Sequence, residues 1–382
     1  MTTPALLTKT ATFCRVTKQR PCVVCQKPDW CVFRVDGALS VCMRVRTGAV
    51  KINRQGGAIF LHDLNNGTIP TGETLLQQPS SANRLAPITV RDFAYRWLIE
   101  HSPATHYHRA LLAGPKGLLA RGFDTVQLSQ YGALPRSLSE RDQLARQLLR
   151  AVYQQFPDYT SLAGIPGFWE DEHGAVHLWQ PQHDRAVRLV IPVRDELGRI
   201  QACQLRNERS RGARYCWLSS AKWSNGVGSG SPLHFNFHPD SLPRGEAIWI
   251  VEGFLKADAF GALRPNTPII ATGGVAANHA EIIRHTAGRP VVIGFDQDYR
   301  SNETVCLQLA RLIAGRIANE GTSDTIRIAT WQAKAKGIDD AALMGLPIEQ
   351  VSCADWFHSL PAPFQQQVIA AWRAQRIPLP QI

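Results

Sequence analysis

Between residues 247 and 332, short apolar runs alternate with segments of helical periodicity. The predicted strands are residues 247–251, 268–272, 290–295 and 325–330. The predicted helices are roughly residues 254–264, 276–287 and 301–319. Short strands joined by helices are typical of a parallel sheet, because a chain that pairs in parallel must cross back over the sheet between strands. This alternation therefore predicts an α/β fold.

Two of these predicted strands end in acids. Glu252 follows the first strand, and Asp296 and Asp298 follow the third. Ligands of such sheets bind outside the carboxyl ends of the strands, where these three side chains are expected to meet. Carboxylates held together repel each other unless a hard cation neutralises them, and Mg²⁺ or Mn²⁺ suits such a site. The alternative is that each acid only caps the helix that follows it.

The N-terminal region has a cluster of cysteines in the pattern C-x2-C-x5-C-x10-C, formed by Cys22, Cys25, Cys31 and Cys42. Two thiolates separated by two residues hold one side of a tetrahedral Zn²⁺, and a second pair completes the site. Cys14 or His62 could replace Cys31 as the third ligand. The alternative to a structural zinc site is a set of buried free cysteines.

Composition favours a globular protein that binds a polyanion. The chain has 382 residues, 44% hydrophobic and 19% charged, so two or three domains are expected. The net charge of +11 and the pI near 9.4 make nucleic acid the leading partner. No apolar run approaches the length of a membrane span, and the N-terminus lacks the apolar region of a signal peptide. We therefore expect a cytoplasmic protein with reduced cysteines and no membrane partner.

The remaining segments of the chain differ in composition and in hydrophobic pattern. Residues 66–87 are rich in Gly, Pro, Ser and Thr and are predicted to be a linker. Residues 88 to about 160 have helical periodicity, with Thr89 as the expected N-cap of the first helix. Residues 186–218 alternate like a β-hairpin. The segment 346–382 contains an apolar-periodic stretch that either docks a partner or packs back on the core.

A series of motifs runs from residue 118 to the first acidic strand end, at Glu252. In chain order they are LLARGFDTVQLSQYGALP (118–135), LVIPVRDELGRIQACQLRNE (189–208), ARYCWLSS (213–220), PLHF (232–235) and WIVEG (249–253). This order, followed by Asp-x-Asp, resembles the TOPRIM-fold DNA primases of the DnaG type and of phages and plasmids, which carry an N-terminal zinc ribbon. The TOPRIM pattern alone also occurs in topoisomerases and some nucleases. The resemblance covers most of residues 14–345.

The resemblance implies a Rossmann-like TOPRIM parallel-sheet domain, an α+β primase N-terminal subdomain and an N-terminal zinc ribbon. The implied limits are 1–65 for the ribbon, 66–87 for the linker, 88–246 for the primase subdomain, 247–345 for the TOPRIM catalytic domain and 346–382 for the C-terminal tail. The implied activity is synthesis of short RNA primers from ribonucleoside triphosphates on a single-stranded DNA template, with structural Zn²⁺ and catalytic Mg²⁺ or Mn²⁺. A primase without its own helicase suggests a plasmid or phage.

The residues expected to contact nucleotide or DNA are Arg121, Arg194, Arg206, Arg214, Tyr215, Lys222 and Lys256. The resemblance supports three of them directly, because Arg206 and Arg214 match family positions that hold nucleotide phosphates and Arg121 matches an upstream family motif. Two of them depart from the family pattern: Lys256 stands where the replicative primases have an aspartate, and Arg214 stands where they have a lysine. Lys256 could contact phosphate or pair with an acid. Asp339 and Asp340 are either minor metal contacts or helix caps.

Three functions compete at this point. The first is a DNA primase. The second is a TOPRIM nuclease, which the acids fit but the cysteine cluster and hairpin do not. The third is a catalytically weak, single-stranded-DNA-binding module that recruits a helicase, and the substitution at Lys256 keeps it open. The sequence has no Walker A motif, so a replicative helicase is a candidate partner and not an activity of this chain.

Overall fold

The computed structural model describes residues 13–17, 19, 21–24, 31–34, 39–42, 51–53, 59–63, 84–107, 112–113, 117–179, 188–207, 214–223, 225–243 and 245–374. The predicted linker at 66–87 lies mostly outside these ranges. No helix in the described ranges combines the length and the apolar character needed to cross a bilayer.

The N-terminal region forms a five-stranded antiparallel sheet with the order β1-β2-β3-β5-β4. Its strands are β1 (Phe13–Arg15), β2 (Val32–Arg34), β3 (Leu39–Cys42), β4 (Lys51–Asn53) and β5 (Ile59–Asp63). Its small core contains Val16 and three buried cysteines. A core this small stabilises little by itself, so the cysteines are central to the stability of this sheet.

The next region combines helices with a second antiparallel sheet of order β11-β10-β9-β6. The helices are α1 (Ile88–His101), α2 (Ala104–Tyr107), α3 (Thr125–Leu128) and α4 (Leu138–Gln155). The strands are β6 (Gly132–Leu134), β9 (Arg188–Arg194), β10 (Ile200–Asn207) and β11 (Tyr215–Trp217), and a separate hairpin pairs β7 (Phe168–Glu170) with β8 (Val176–Leu178).

Two details of this region correct the expectation from periodicity. The segment 88–160 is not wholly helical, because β6 pairs antiparallel with β9. Thr89 is not the N-cap of α1, since the helix begins at Ile88 and Pro87 occupies the cap position. Asp92 instead accepts hydrogen bonds from Ile200 N at 2.6 Å and from Arg96 Nε at 2.8 Å. Asp92 thus connects α1 to the sheet.

The predicted hairpin at 186–218 is confirmed as β9 and β10, whose register runs from Arg188↔Asn207 to Arg194↔Ile200. Both faces of β9 are buried. Leu189, Ile191 and Val193 lie in one core cluster, whereas Val190 belongs to a different cluster with α1 and α4. Side chains of a strand alternate between faces, so this sheet lies between the helices and the rest of the molecule.

The C-terminal half is built on a six-stranded sheet with the order β12-β14-β13-β15-β16-β17. Its strands are β12 (His234–Phe235), β13 (Ile248–Glu252), β14 (Ile269–Thr272), β15 (Val291–Gly294), β16 (Ile326–Thr330) and β17 (Glu349–Ser352). The helices are α5 (Phe254–Leu263), α6 (His279–His285), α7 (Glu303–Glu320), α8 (Ile338–Leu343), α9 (Cys353–His358) and α10 (Ala362–Ala374).

The four inner strands are parallel, which confirms the α/β fold predicted from the alternating pattern. The two edge strands, β12 and β17, run antiparallel to their neighbours. Trp249 and Val251 pack on one face of the sheet with α5 and the β9 side chains. Ile248 and Ile250 pack on the other face with α7, α9 and α10. Layers on both faces explain why the inner strands are almost continuously apolar.

A buried polar network joins α5 to the four-stranded sheet. The Tyr131 hydroxyl donates to Asp258 Oδ2, and His234 Nε2 donates to Asp258 Oδ1 at 2.9 Å. His234 Nδ1 accepts the backbone N–H of Arg194 at 3.1 Å, which leaves its proton on Nε2. Burial favours a higher pKa for Asp258, but His234, Arg194 and Tyr131 outweigh it and lower the pKa of Asp258 below its usual 3.8.

The described part of the C-terminal segment packs on the six-stranded sheet. Trp356, Val368 and Trp372 are buried in the core beside α7, and Trp372 Nε1 donates to Ala310 O at 2.8 Å. The apolar face of α10 is therefore occupied by the chain's own core. β17, which begins this segment, extends the sheet past the predicted limit at residue 345.

Candidate metal and nucleotide site

The three acids predicted at strand ends lie at the carboxyl edge of adjacent parallel strands. Glu252 is the last residue of β13, and Asp296 follows β15, which pairs directly with β13 through Val251↔Gly294. Gly253 then adopts φ 93°, a conformation that disfavours any side chain, and α5 begins at the next residue. This sharp turn ends the strand at Glu252 and directs the first turn of α5 towards Asp296.

Two lysines contact the acids. Lys256, in the first turn of α5, donates from Nζ to Asp296 Oδ1. Lys336 Nζ lies 3.6 Å from Asp296 Oδ2 and 3.1 Å from Asp298 Oδ2. The hydrogen bond to Asp298 is the main reason why the pKa of Lys336 is raised. Both oxygens of Asp296 thus face an ammonium group, and Lys256 pairs with an acid in this structure.

The remaining acid oxygens suit a hard cation. Asp298 Oδ1 is buried and has no hydrogen-bond partner in the described part of the chain. Burial raises the pKa of Glu252, and Asp296 and Asp298 raise it further, against the opposing effect of Lys256. Carboxylate oxygens are the donors that Mg²⁺ and Mn²⁺ prefer. No three acids among the described residues bring an oxygen within 4.8 Å of one another, so this edge has the donor type for a divalent ion without a closed set of ligands.

A fourth acid, Asp339, faces the same edge from α8. The N-cap of α8 is Gly337, so neither Asp339 nor Asp340 is the cap. Asp339 Oδ2 pairs with Arg121, from the turn Leu119–Arg121, while Oδ1 is buried without a hydrogen-bond partner among the described residues. Burial raises the pKa of Asp339, and Arg121 opposes this effect. A β carbon at Gly337 would lie 2.5 Å from Asp339 Oδ1, so glycine is required for this packing.

Further cations complete a cleft of about 380 Å³ above the acids. Its lining includes Arg121, Arg214, Tyr215, Glu252, Lys256, Asp296, Lys336, Asp339 and Asp340. The Arg214 guanidinium lies 5.7 Å from the centre of the Tyr215 ring. Arg206 pairs with Tyr215 across β10 and β11. Burial, together with the positive charges of Arg214 and Arg121, lowers the pKa of Arg206, so these arginines lie close to one another.

Two predicted nucleotide-binding residues lie elsewhere. Arg194 lines a different cleft, where its Nη2 donates to Gln130 Oε1 at 2.8 Å. Lys222 is exposed on a turn after β11 and is absent from the lining of the acidic cleft. Conversely, the sequence did not single out Lys336. It lies in an irregular turn between β16 and α8, and only its closeness to the acids Asp339 and Asp340 could have drawn attention to it.

The predicted zinc ligands are brought together in the N-terminal sheet. The sulfur atoms of Cys22, Cys31 and Cys42 all lie within 4.8 Å of one another, and all three residues are buried. Cys31, and not the exposed Cys14, is the third member of this cluster. Cys25 and the side chain of His62 lie outside the described residues. Three converging buried thiols fit a tetrahedral Zn²⁺ with one further ligand.

The chain is similar in structure to bacterial DNA primase domains. No family model and no curated protein matches its sequence. A DNA primase domain from Pseudomonas aeruginosa is 17% identical, with a TM-score of 0.48 over 74% of this chain and 84% of that one. The RNA polymerase domain of Mycobacterium tuberculosis primase DnaG is 16% identical, with a TM-score of 0.45 over 74% and 90%. The zinc-binding and RNA polymerase domains of the Aquifex aeolicus primase are 12% identical, with a TM-score of 0.44 over 77% and 74%.

Proposed function

We propose that this protein is a DNA primase that joins ribonucleoside triphosphates on a single-stranded DNA template. The observation that carries the proposal is one cleft whose lining includes Glu252 and Asp296 together with Arg121 and Arg214. Asp298 is ion-paired with Lys336, which belongs to the same lining. Acids for a divalent ion and arginines for phosphate in one cleft suit a triphosphate substrate. The chain's net charge of +11 and the motif order from Arg121 to Asp298 agree with this substrate class.

In this proposal each side chain has a role in phosphate chemistry. Glu252, Asp296 and Asp298 hold Mg²⁺ or Mn²⁺, which neutralises phosphate charge when bound. Arg121 and Arg214 contact phosphate oxygens of the incoming nucleotide, and Arg206 supports them from the buried side of β10. During primer synthesis a 3′-hydroxyl attacks the α-phosphorus and pyrophosphate leaves. Negative charge accumulates on the phosphate oxygens during this step, and fixed cations stabilise it.

The N-terminal sheet has a separate role in the proposal. Cys22, Cys25, Cys31 and Cys42 hold a structural Zn²⁺ within residues 1–65, and this ribbon contacts the template. Residues 88–246 and 247–345 form the primase subdomain and the TOPRIM catalytic domain. A plasmid or phage setting and a separate replicative helicase as partner follow from the sequence resemblance.

The test is primer synthesis by the full chain. Purified protein is incubated with single-stranded DNA, labelled ribonucleotides and Mg²⁺ or Mn²⁺, beside Glu252→Gln and Asp296→Asn. Asp240→Asn is the matched control, because Asp240 has a 92% exposed side chain outside the cleft. We expect short labelled products from the wild type and from the control, and none from the two site variants.

Other outcomes separate the competing functions. Equal synthesis by Asp296→Asn would remove the acidic edge from the chemistry. Tight binding of single-stranded DNA without product would favour the helicase-recruiting module, which the Lys256–Asp296 contact keeps as the second candidate. Shortening of a labelled template would favour a nuclease.

A further inference from the structure

We propose that Gln297 is a positioning residue, which fixes the turn that carries Lys336 to the acidic segment 296–298. In this account Gln297 determines where the ammonium group of Lys336 stands in the cleft, and that group contacts a phosphate of the bound nucleotide. The inference rests on the proposed function, because a phosphate in the cleft is the reason for positioning a cation there. Its basis is the hydrogen bonding of Gln297.

Gln297 forms hydrogen bonds to β16 and to the end of the turn that follows this strand. It is 8% exposed and begins the short helical turn Gln297–Arg300, so it stands between the two acids in the chain. Its side-chain Nε2 donates to Ala329 O at 3.2 Å, and Ala329 belongs to β16. Its backbone N–H donates to Lys336 O, also at 3.2 Å. One residue therefore bonds the acidic segment both to the sheet and to the turn.

The turn between β16 and Lys336 is also closed internally. Trp331 is 5% exposed, and its Nε1 donates to Ala335 O at 2.9 Å, immediately before Lys336. A turn closed in this way moves as a unit. The two hydrogen bonds of Gln297 therefore set the position of the whole turn, and of Lys336 with it, relative to the acids.

Only half of the side-chain amide of Gln297 is used. Its Oε1 atom is buried and has no hydrogen-bond partner in the described part of the chain. A buried acceptor without a partner lowers stability, and a methionine of similar length would not carry this penalty. The amide thus adds little to the stability of the whole fold, whereas its donor sets the local geometry beside Lys336. Departures of this kind from full hydrogen bonding are expected at functional sites.

Lys336 is suited to contact a ligand. Its side chain is 66% exposed and lines the same cleft as the arginines of the proposed phosphate site. Its Nζ lies 3.1 Å from Asp298 Oδ2 and 3.6 Å from Asp296 Oδ2. Ion pairs of a largely exposed lysine are weak, so the ammonium group can turn from the acids to a phosphate at little cost. Its location is then set by its backbone, which Gln297 holds.

The first test measures hydrogen exchange by mass spectrometry in the full chain. Gln297→Met is compared with Gln367→Met, because Gln367, on α10, also has a buried Oε1 without a partner among the described residues and is absent from the lining of the cleft. In Gln297→Met, peptides that cover 295–302 and 331–337 should exchange about three- to tenfold faster, the factor that corresponds to one hydrogen bond. Gln367→Met should leave these rates unchanged, and both variants should unfold at the urea concentration of the wild type.

Primer synthesis gives the second readout. In Gln297→Met, kcat should fall at least about tenfold and KM for the ribonucleotide should change less than about threefold, because a misplaced cation is felt most in the transition state. Lys336→Met should lower kcat similarly. Because Gln297 acts through Lys336, the double variant should be no slower than Lys336→Met alone. Gln367→Met should synthesise primers at the wild-type rate.

Unchanged exchange in Gln297→Met would overturn the inference, as would a double variant whose kcat falls by the product of the two single effects. If Gln297→Met does not fold, as judged by circular dichroism, Gln297→Asn replaces it, because asparagine keeps the amide and is too short to reach Ala329 O. A wild type that makes no primer would contradict the proposed function alone, and exchange then decides whether Gln297 fixes the turn. Synthesis at the wild-type rate by Gln297→Met would contradict this inference alone.

Discussion

The hydroxyl of Tyr131 offers a test of how the two large sheets are held together. Tyr131 is 2% exposed, and its hydroxyl donates to Asp258, whose other oxygen is bonded to His234. Tyr131→Phe removes the donor and keeps the ring, including its edge contact with Phe123 at 5.5 Å between ring centres. The expected change therefore comes from the hydrogen bond and not from packing.

The loss of stability expected in Tyr131→Phe follows from the charge of the acceptor, Asp258. Hydrogen bonds to charged groups contribute about 1.5–3 kcal/mol, and a buried carboxylate left with one fewer donor loses that amount. With a denaturation slope of about 3 kcal/mol/M in urea, the midpoint falls by about 0.5–1 M. Tryptophan fluorescence during urea unfolding at pH 7 measures this shift in the midpoint. Tyr153→Phe is the control, because Tyr153 is 53% exposed and is expected to shift stability by less than about 0.5 kcal/mol.

The pKa of Asp258 determines how the stability difference between wild type and Tyr131→Phe changes with pH. The pKa of Asp258 is lower in the fold than its usual 3.8, so ionised Asp258 stabilises the fold fully above pH 3.8. This stabilisation is lost as the pH falls through the lower folded value. The difference between wild type and Tyr131→Phe should therefore be largest near neutral pH and shrink in acid. A Tyr131→Phe protein as stable as the wild type at pH 7, or a difference that grows in acid, would refute the role assigned to this network.

Three further predictions concern other parts of the molecule. Cys42→Ser should release the Zn²⁺, from about one ion per chain to almost none by elemental analysis, and unchanged zinc would contradict the ligand set. Arg121→Met leaves Asp339 buried without its cation and should lower the free energy of unfolding in urea by about 3–5 kcal/mol. Adding Asp339→Leu should restore most of this stability, and full stability of the single variant would argue against a buried pair. Trp372→Ala should cost about 3–5 kcal/mol, against little for the exposed neighbour Arg373→Ala, and equal stability of the two would place α10 off the core.

The sequence predicted the inner part of the six-stranded sheet well, because parallel strands buried on both faces are short, apolar and separated by helices. The predicted strand 247–251 differs from β13 by one residue at each end, and the predicted strand 325–330 differs from β16 by one residue at its start. The meeting of Glu252 with Asp296 was also predictable, since carboxyl ends of adjacent parallel strands share an edge. Local pattern and one geometric rule are sufficient for both.

Pairings between distant segments were not predictable in the same way. β6 and β12 are two or three residues long and gain their strand geometry from β9 and β14, so local periodicity carries no signal for them. Arg194 was grouped with the other arginines by nearness in sequence, but the fold directs it to Gln130 in a separate cleft. Lys336 shows the opposite case: an irregular turn places an exposed lysine on two acids that are about 40 residues away in sequence.

The antiparallel edge strands of the six-stranded sheet have a consequence for truncated or partly synthesised chains. The outer edge of β16 is covered by β17, whose residues 349–352 are made after the parallel strands are complete. Until then β16 presents unpaired backbone groups, and the apolar surface that receives α9 and α10 is bare. Open strand edges next to apolar surface are templates for intermolecular pairing. A chain that stops near residue 345 should therefore be prone to aggregate, even though it retains every acid of the cleft.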